Sequence, residues 1–133
     1  MKTIYFLFAV SLLALAGCST MTTHQSTDAK PESETVMITY HVRFGNEPEF
    51  QKVLADAWQA YRGADLVFAE PHIIVREAGA EETRFVEIFT WVKPPDLAPD
   101  NVQALWKQEE SMCEARDGRR AIEGGKVELL TGK

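Results

Sequence analysis

His41, His72, Glu70 and Glu87 are the residues of this chain best suited to move protons, because an imidazole that shares a surface with a carboxylate can serve as acid or base near neutral pH. A metal centre needs three or four ligands close together. Neither His41 nor His72 belongs to a closely spaced set of His, Cys or carboxylate residues, so no metal is expected. The third histidine, His24, lies in a Ser/Thr-rich stretch and reads as a solvated residue. Cys113 shares a helical face with Val102, Trp106 and Glu109 and has no base nearby in the sequence, so it reads as a small buried apolar side chain rather than a nucleophile. Trp91 is suited equally to stacking on a flat substrate and to packing in a core, whereas Trp58 and Trp106 fall on helix faces that should meet a sheet.

The elements that must position these residues follow from periodicity. From Val36 the pattern has a period of two, with Ile38, Tyr40, Val42 and Phe44 on one side and Met37, Thr39, His41 and Arg43 on the other, so this segment is a strand. Gly45-Asn46 ends it, and Asn46 can cap a helix whose first turn carries Glu47, Pro48 and Glu49. Phe50, Val53, Leu54, Ala57, Trp58 and Tyr61 recur at helical spacing, which predicts a helix over about 47–62 with Gly63 as its stop. Leu66 to Arg76 and Arg84 to Val92 are rich in β-branched and aromatic residues and read as a hairpin. Pro71 within the first of them requires an edge position or a bulge. Pro94, Pro95 and Pro99 mark a connection to a second helix that should end at Gly118, where Arg116 suits the helix C-terminus, and a short strand over about 126–131 closes the chain.

The order β-α-β-β-α-β predicts a ferredoxin-like α+β fold: one antiparallel sheet with both helices on one face. Side chains alternate along a strand. With Val86, Ile88 and Val92 assigned to the helices, the open face receives Phe85, Glu87, Phe89 and Trp91, joined by Phe68, Glu70, His72, Ile74 and Arg76 from the preceding strand and by Met37, His41 and Arg43 from the first. So much contiguous aromatic surface is seldom left in water, and a second copy of the chain would cover it and enclose a cavity.

The layout over about 36–131, and in particular Phe85-Val-Glu-Ile-Phe-Thr-Trp91 leading through a loop into the second helix, resembles the dimeric α+β barrel group that includes antibiotic biosynthesis monooxygenase-like domains. The resemblance implies a homodimer with an aromatic-lined cavity. It also implies a range of activities, from cofactor-independent oxygenases of aromatic substrates through haem-degrading enzymes to proteins without assigned activity. Haem degradation in such proteins relies on a helix-borne His, and neither predicted helix has one, so no cofactor is expected. The candidates for catalysis are His41, His72 and Glu87, and for the ligand cavity Arg43, Phe68, Phe85, Phe89 and Trp91.

The N-terminus supplies an address. Leu15-Ala-Gly-Cys18, at the end of an apolar run that begins at Ile4 behind Met1-Lys2, resembles the lipobox of a bacterial lipoprotein. The thirteen residues from Ile4 to Ala16 would extend only about 20 Å as a helix, too short for a bilayer core of about 30 Å. Residues 1–17 are then a signal peptide, Cys18 carries the lipid, and residues 18–35 form a flexible, Ser/Thr-rich tether reaching roughly 20 to 25 Å. Ser19 in place of Asp resembles an outer-membrane sorting signal, which implies the periplasmic face of that membrane.

The whole chain carries 14 basic and 20 acidic residues, and loss of Lys2 with the signal would make the remainder more acidic still, which excludes a nucleic-acid partner. With Cys18 acylated, Cys113 has no disulfide partner, so stability must come from the core. The sequence therefore predicts a lipid-anchored periplasmic homodimer that binds a small aromatic or apolar molecule. The alternatives are a cofactor-independent monooxygenase of a small quinol or aromatic compound, and a structural envelope lipoprotein.

Overall fold

The computed structural model describes residues 33–130; the segment read as a signal peptide, Cys18 and most of the expected tether lie outside them, while Glu34 and Thr35 at the end of that tether already belong to the first strand. Strand β1 (Glu34–Arg43) leads to helix α1 (Glu47–Gly63), followed by the hairpin β2 (Val67–Ala78) and β3 (Glu82–Trp91), a short 3₁₀ turn at Pro95–Leu97, helix α2 (Asp100–Met112) and strand β4 (Ile122–Lys126). All the strands pair antiparallel in the order β2-β3-β1-β4, the ferredoxin-like arrangement expected from the element order. Among the described residues no helix is long and apolar enough to cross a membrane.

Both helices cover one face of the sheet. Tyr40, Val42 and Phe85 pack on Phe50, Val53 and Leu54 of α1 and on Met112 at the end of α2. Phe89 and Trp91 pack with Ala57 and Tyr61 of α1 and Val102 of α2. The parity assigned to β1 is the one observed, but that of β3 is reversed: Phe85, Glu87, Phe89 and Trp91 are buried on the helix side, and Val86 and Ile88 lie on the open face. The register explains the outcome. Directly opposed residues of antiparallel strands share a face, and Tyr40 stands opposite Phe85 while Met37 stands opposite Ile88.

Several local expectations change for related reasons. Pro71 sits on the edge strand β2, where the pairing with β3 is irregular between Val67 and His72, so both sequence explanations of the proline hold together. The Asn46 side chain makes no capping hydrogen bond; instead the Glu47 carboxylate accepts from the Gly45 N–H at 2.7 Å and from the Thr83 hydroxyl at 3.0 Å, tying α1 to β3. The left-handed residue after α1 is Asp65 rather than Gly63. Helix α2 ends at Met112, six residues before Gly118, because Cys113 leaves in an extended conformation, bridges Val42, and lets the Glu114 N–H donate to the His41 carbonyl. Arg116 consequently does not cap a helix and instead pairs with Glu114 and with Glu81. The last strand begins at Ile122, four residues earlier than its pattern suggests, and accordingly stops at Lys126.

Candidate functional site

A cavity lies on the helix side of the sheet within a single chain, and Phe85, Phe89 and Trp91, expected to line one on the open face, are on the helix side as well. It has a volume of about 640 Å³ and is walled by Ile38 and Tyr40 of β1, Tyr61 of α1, Trp91 of β3, Trp106 and Glu109 of α2, and Ile122 of β4. Pro95, Glu110, Ala115 and Arg120 are exposed and form its rim. The aromatic wall is one continuous cluster, with Tyr61 5.3 Å from Trp91 and Trp91 perpendicular to Trp106 at 6.4 Å between ring centroids. Edge-to-face contacts of this kind hold the rings in fixed orientations and leave flat apolar surface for a ring of similar size. The Trp106 indole N–H donates to the Tyr61 hydroxyl, so the polar atoms of these two residues satisfy each other.

Glu109 is the anomalous group in that wall. It is 2% exposed, and its Oε1 has no hydrogen-bond partner, a costly condition for a carboxylate in an apolar setting. Burial, with the Glu87 charge adding to it, pushes its pKa up to about 8, so at neutral pH the group is mostly a carboxylic acid. A neutral carboxyl in a dry cavity can donate a hydrogen bond to a ligand oxygen and favours the ionised form of that ligand. The sequence reading had placed Glu109 only on the Cys113 face of α2. A Glu on a helical stripe otherwise made of Val102, Trp106 and Cys113 was the available signal, since an acid on a buried stripe demands a reason.

A second polar group lies behind the cavity wall. Glu87, 1% exposed, accepts a hydrogen bond from the Tyr40 hydroxyl at 3.1 Å, and its other oxygen is 2.9 Å from Nε2 of His72. Burial and then the neighbouring Glu87 and Glu109 carboxyls hold the Tyr40 hydroxyl well above its ordinary range, so it stays a donor. The His72 ring is stacked on Trp58 of α1 with centroids 3.5 Å apart and planes 8° from parallel, and its side chain is 19% exposed. His72 and Glu87 are thus brought together as the sequence suggested, but on the helix side. That position corrects the open-face assignment of His72, Glu87 and Trp91.

The remaining sequence candidates are dispersed. Of the three catalytic candidates His41 alone occupies the open face as expected; it is buried there, with Nε2 2.9 Å from Glu123 and Nδ1 3.5 Å from Glu82, on the opposite face of the sheet from Glu87. Arg43 is half exposed and donates to the Ser111 carbonyl, so it lines no cavity. Phe68 is 48% exposed beside the β2 irregularity, and Phe85 and Phe89 are core residues that do not reach the cavity. Cys113 is buried, and burial with the Glu109 charge pushes its thiol up to about 12, an environment that suppresses nucleophilicity. Among the described residues no cluster of three or more His, Cys, Asp or Glu is arranged to hold a metal ion.

No protein-family model matches the chain, and no curated protein matches it in sequence. In three dimensions it is similar to SnoaB, a cofactor-independent oxygenase from Streptomyces nogalater, with 17% identity over 75% of this chain and 96% of that one and a TM-score of 0.52. A single-residue variant of the same oxygenase matches with 16% identity over 74% and 95% of the two chains, at a TM-score of 0.53. What the likeness establishes is the fold, a ferredoxin-like α+β domain.

Proposed function

We propose that this protein binds a small hydroxylated aromatic molecule, a phenol or quinol, in the cavity beneath α2 and favours its oxyanion form. The observation that carries this reading is Glu109, a buried acid with an unpartnered oxygen in a wall otherwise built of aromatic and aliphatic side chains. A ring packs in the cavity against the surface formed by Tyr61, Trp91 and Trp106, and its oxygen accepts the Glu109 proton as a hydrogen bond. Such a site lowers the free energy of a phenolate relative to the phenol, because the donor is already oriented and water is scarce.

The likeness in fold to cofactor-independent oxygenases favours a catalytic version of the same reading. The bound phenolate is an electron-rich substrate that can reduce dioxygen directly. A phenol then becomes a quinone: one oxygen atom replaces the ring hydrogen as a carbonyl, and the second leaves as water with the two hydrogens removed. The protein supplies shape, desolvation and charge stabilisation, with no redox group of its own.

The setting proposed for this activity is a lipid anchor at Cys18 at the periplasmic face of the outer membrane, and a homodimer formed through the open face. Met37, Ile88 and Ile73 stand opposite one another across β1, β3 and β2, as do Thr39, Val86 and Val75, and Met37, Ile73 and Val75 are 40%, 41% and 52% exposed. An uncovered apolar patch of this kind supports a partner, and a second copy is the partner the sheet geometry suits.

The deciding experiment incubates residues 19–133 with a panel of phenols and quinols, following melting temperature and dissolved oxygen together. Stabilisation with oxygen uptake, both lost in Glu109→Leu, is the expected result. Stabilisation without uptake leaves a binding protein, and absence of both across the panel overturns the reading.

A further inference from the structure

We propose that Tyr40, Glu87 and His72 form a proton wire that carries the hydroxyl proton of a cavity-bound ligand out through the back of the cavity wall to solvent at the outer edge of the sheet. The inference rests on the phenol-binding reading and adds the route by which the oxyanion is made. The exposed rim at Pro95, Glu110 and Arg120 is where a ligand enters, so a proton released against Tyr40 is served by an exit that the ligand does not occupy. Glu109 cannot accept it while serving as the donor to the oxyanion.

The geometry provides one. Tyr40 is part of the cavity wall, its hydroxyl donates to Glu87 at 3.1 Å, and the second Glu87 oxygen is 2.9 Å from His72. These three residues sit on three adjacent strands, β1, β3 and β2, so the relay spans three of the four strands, from the interior of the sheet to its edge. The charged or titratable groups facing Glu87 are Tyr40 from β1, His72 from β2, and Glu109 from α2, with Tyr61 nearby on α1. Trp58 stacks on the imidazole and fixes its plane toward Glu87. A surface ion pair would not need a tryptophan clamp or a carboxylate that is 1% exposed.

The transfer balances without making or breaking any bond between heavy atoms. The ligand hydroxyl gives its proton to the Tyr40 oxygen, the proton already on Tyr40 moves to the Glu87 carboxylate, Glu87 hands a proton on to Nε2 of His72, and the imidazole ring releases its Nδ1 proton to water. Tyr40, Glu87 and His72 end as they began, and the one negative charge gained inside is the ligand oxyanion, which the Glu109 hydrogen bond stabilises. His72 is a positioning and relay residue in this scheme and touches no ligand.

4-Nitrophenol is the probe, because its phenolate is coloured and its ionisation can be followed by stopped flow in weak buffer. The wild type should bind and ionise it rapidly. His72→Gln, which keeps a hydrogen-bonding amide but cannot exchange protons, should slow ionisation about tenfold or more with the final ionised fraction unchanged. His72→Ala should behave likewise and recover its rate with free imidazole, since the site is partly open to solvent. A wild-type rate in His72→Gln, or no rescue of His72→Ala, overturns the wire while leaving the cavity reading intact. No uptake of nitrophenol by the wild type overturns both. Should the variants fail to fold, the His72 ring resonances of the wild type decide: they move on saturation with nitrophenol if the wire operates, and stationary resonances overturn it.

Discussion

Glu109 gives the molecule an unusual dependence on pH. In the unfolded chain its carboxyl ionises near the ordinary value of 4.5, whereas in the folded protein it holds its proton up to about 8. The folded state therefore binds more protons between these values, and stability falls as pH rises through that window, full below it and lost above it. Each tenfold difference in proton affinity is worth about 1.4 kcal/mol, so the loss is of the order of a few kcal/mol. Glu109→Gln should abolish this slope and melt higher than the wild type at pH 9, as thermal denaturation at pH 5 and pH 9 will show. Ligand binding should follow the same titration: wild-type affinity for a phenolate declines as pH passes 8, and that decline is absent in Glu109→Gln, which calorimetry can measure. Cys113 should resist alkylation at pH 8 in the native protein and react once the chain is unfolded, because its thiol is buried and pushed up to about 12.

At the scale of elements, the aromatic packing between α1 and the sheet dominates. Phe50 is fully buried and lies 5.1 Å from both Tyr40 and Phe85, so Phe50→Ala should cost about 3 to 5 kcal/mol, measured by denaturant unfolding. The helix and strand order was legible in the sequence because β1 and α1 each separate apolar from polar positions by period. Strand β3 was not legible in the same way. Phe85, Phe89 and Trp91 occupy one parity and Val86 and Ile88 the other, so periodicity alone offers two apolar faces and no choice between them. Glu87 added a false cue, since a carboxylate is normally placed on the wetter side; here Tyr40 and His72 satisfy it inside. The β1 pattern contained the correction, because aligning Tyr40 with Phe85 carries the whole of β3 to the helix side. The pairing of His72 with Glu87 survived the error because both residues changed face together. The early end of α2 was hidden for another reason: the bridge between Cys113 and Val42 is a tertiary contact with no local signature.

At the scale of the whole molecule, the uncovered sheet face and the N-terminal segment set how the domain is presented. Replacing Ile88 by Lys places a charge at the centre of the open face, opposite both Met37 and Ile73. The variant should sediment as a monomer while the wild type sediments as a dimer, with a far smaller effect on the melting of the single chain. The strand that follows Cys18 in the sequence also has a particular place in the sheet. Residue 34 opens β1, an interior strand hydrogen-bonded to β3 along its full length and to β4 over Val36–Tyr40. Were the domain anchored through Cys18 and pulled by drag or by a partner, the load would enter along that strand. The ladders on its two sides would bear it in shear, many hydrogen bonds at once, instead of unzipping singly from an edge. Resistance to mechanical extraction would then be governed by the rate of unfolding rather than by equilibrium stability, and the fold places its central strand where that force arrives.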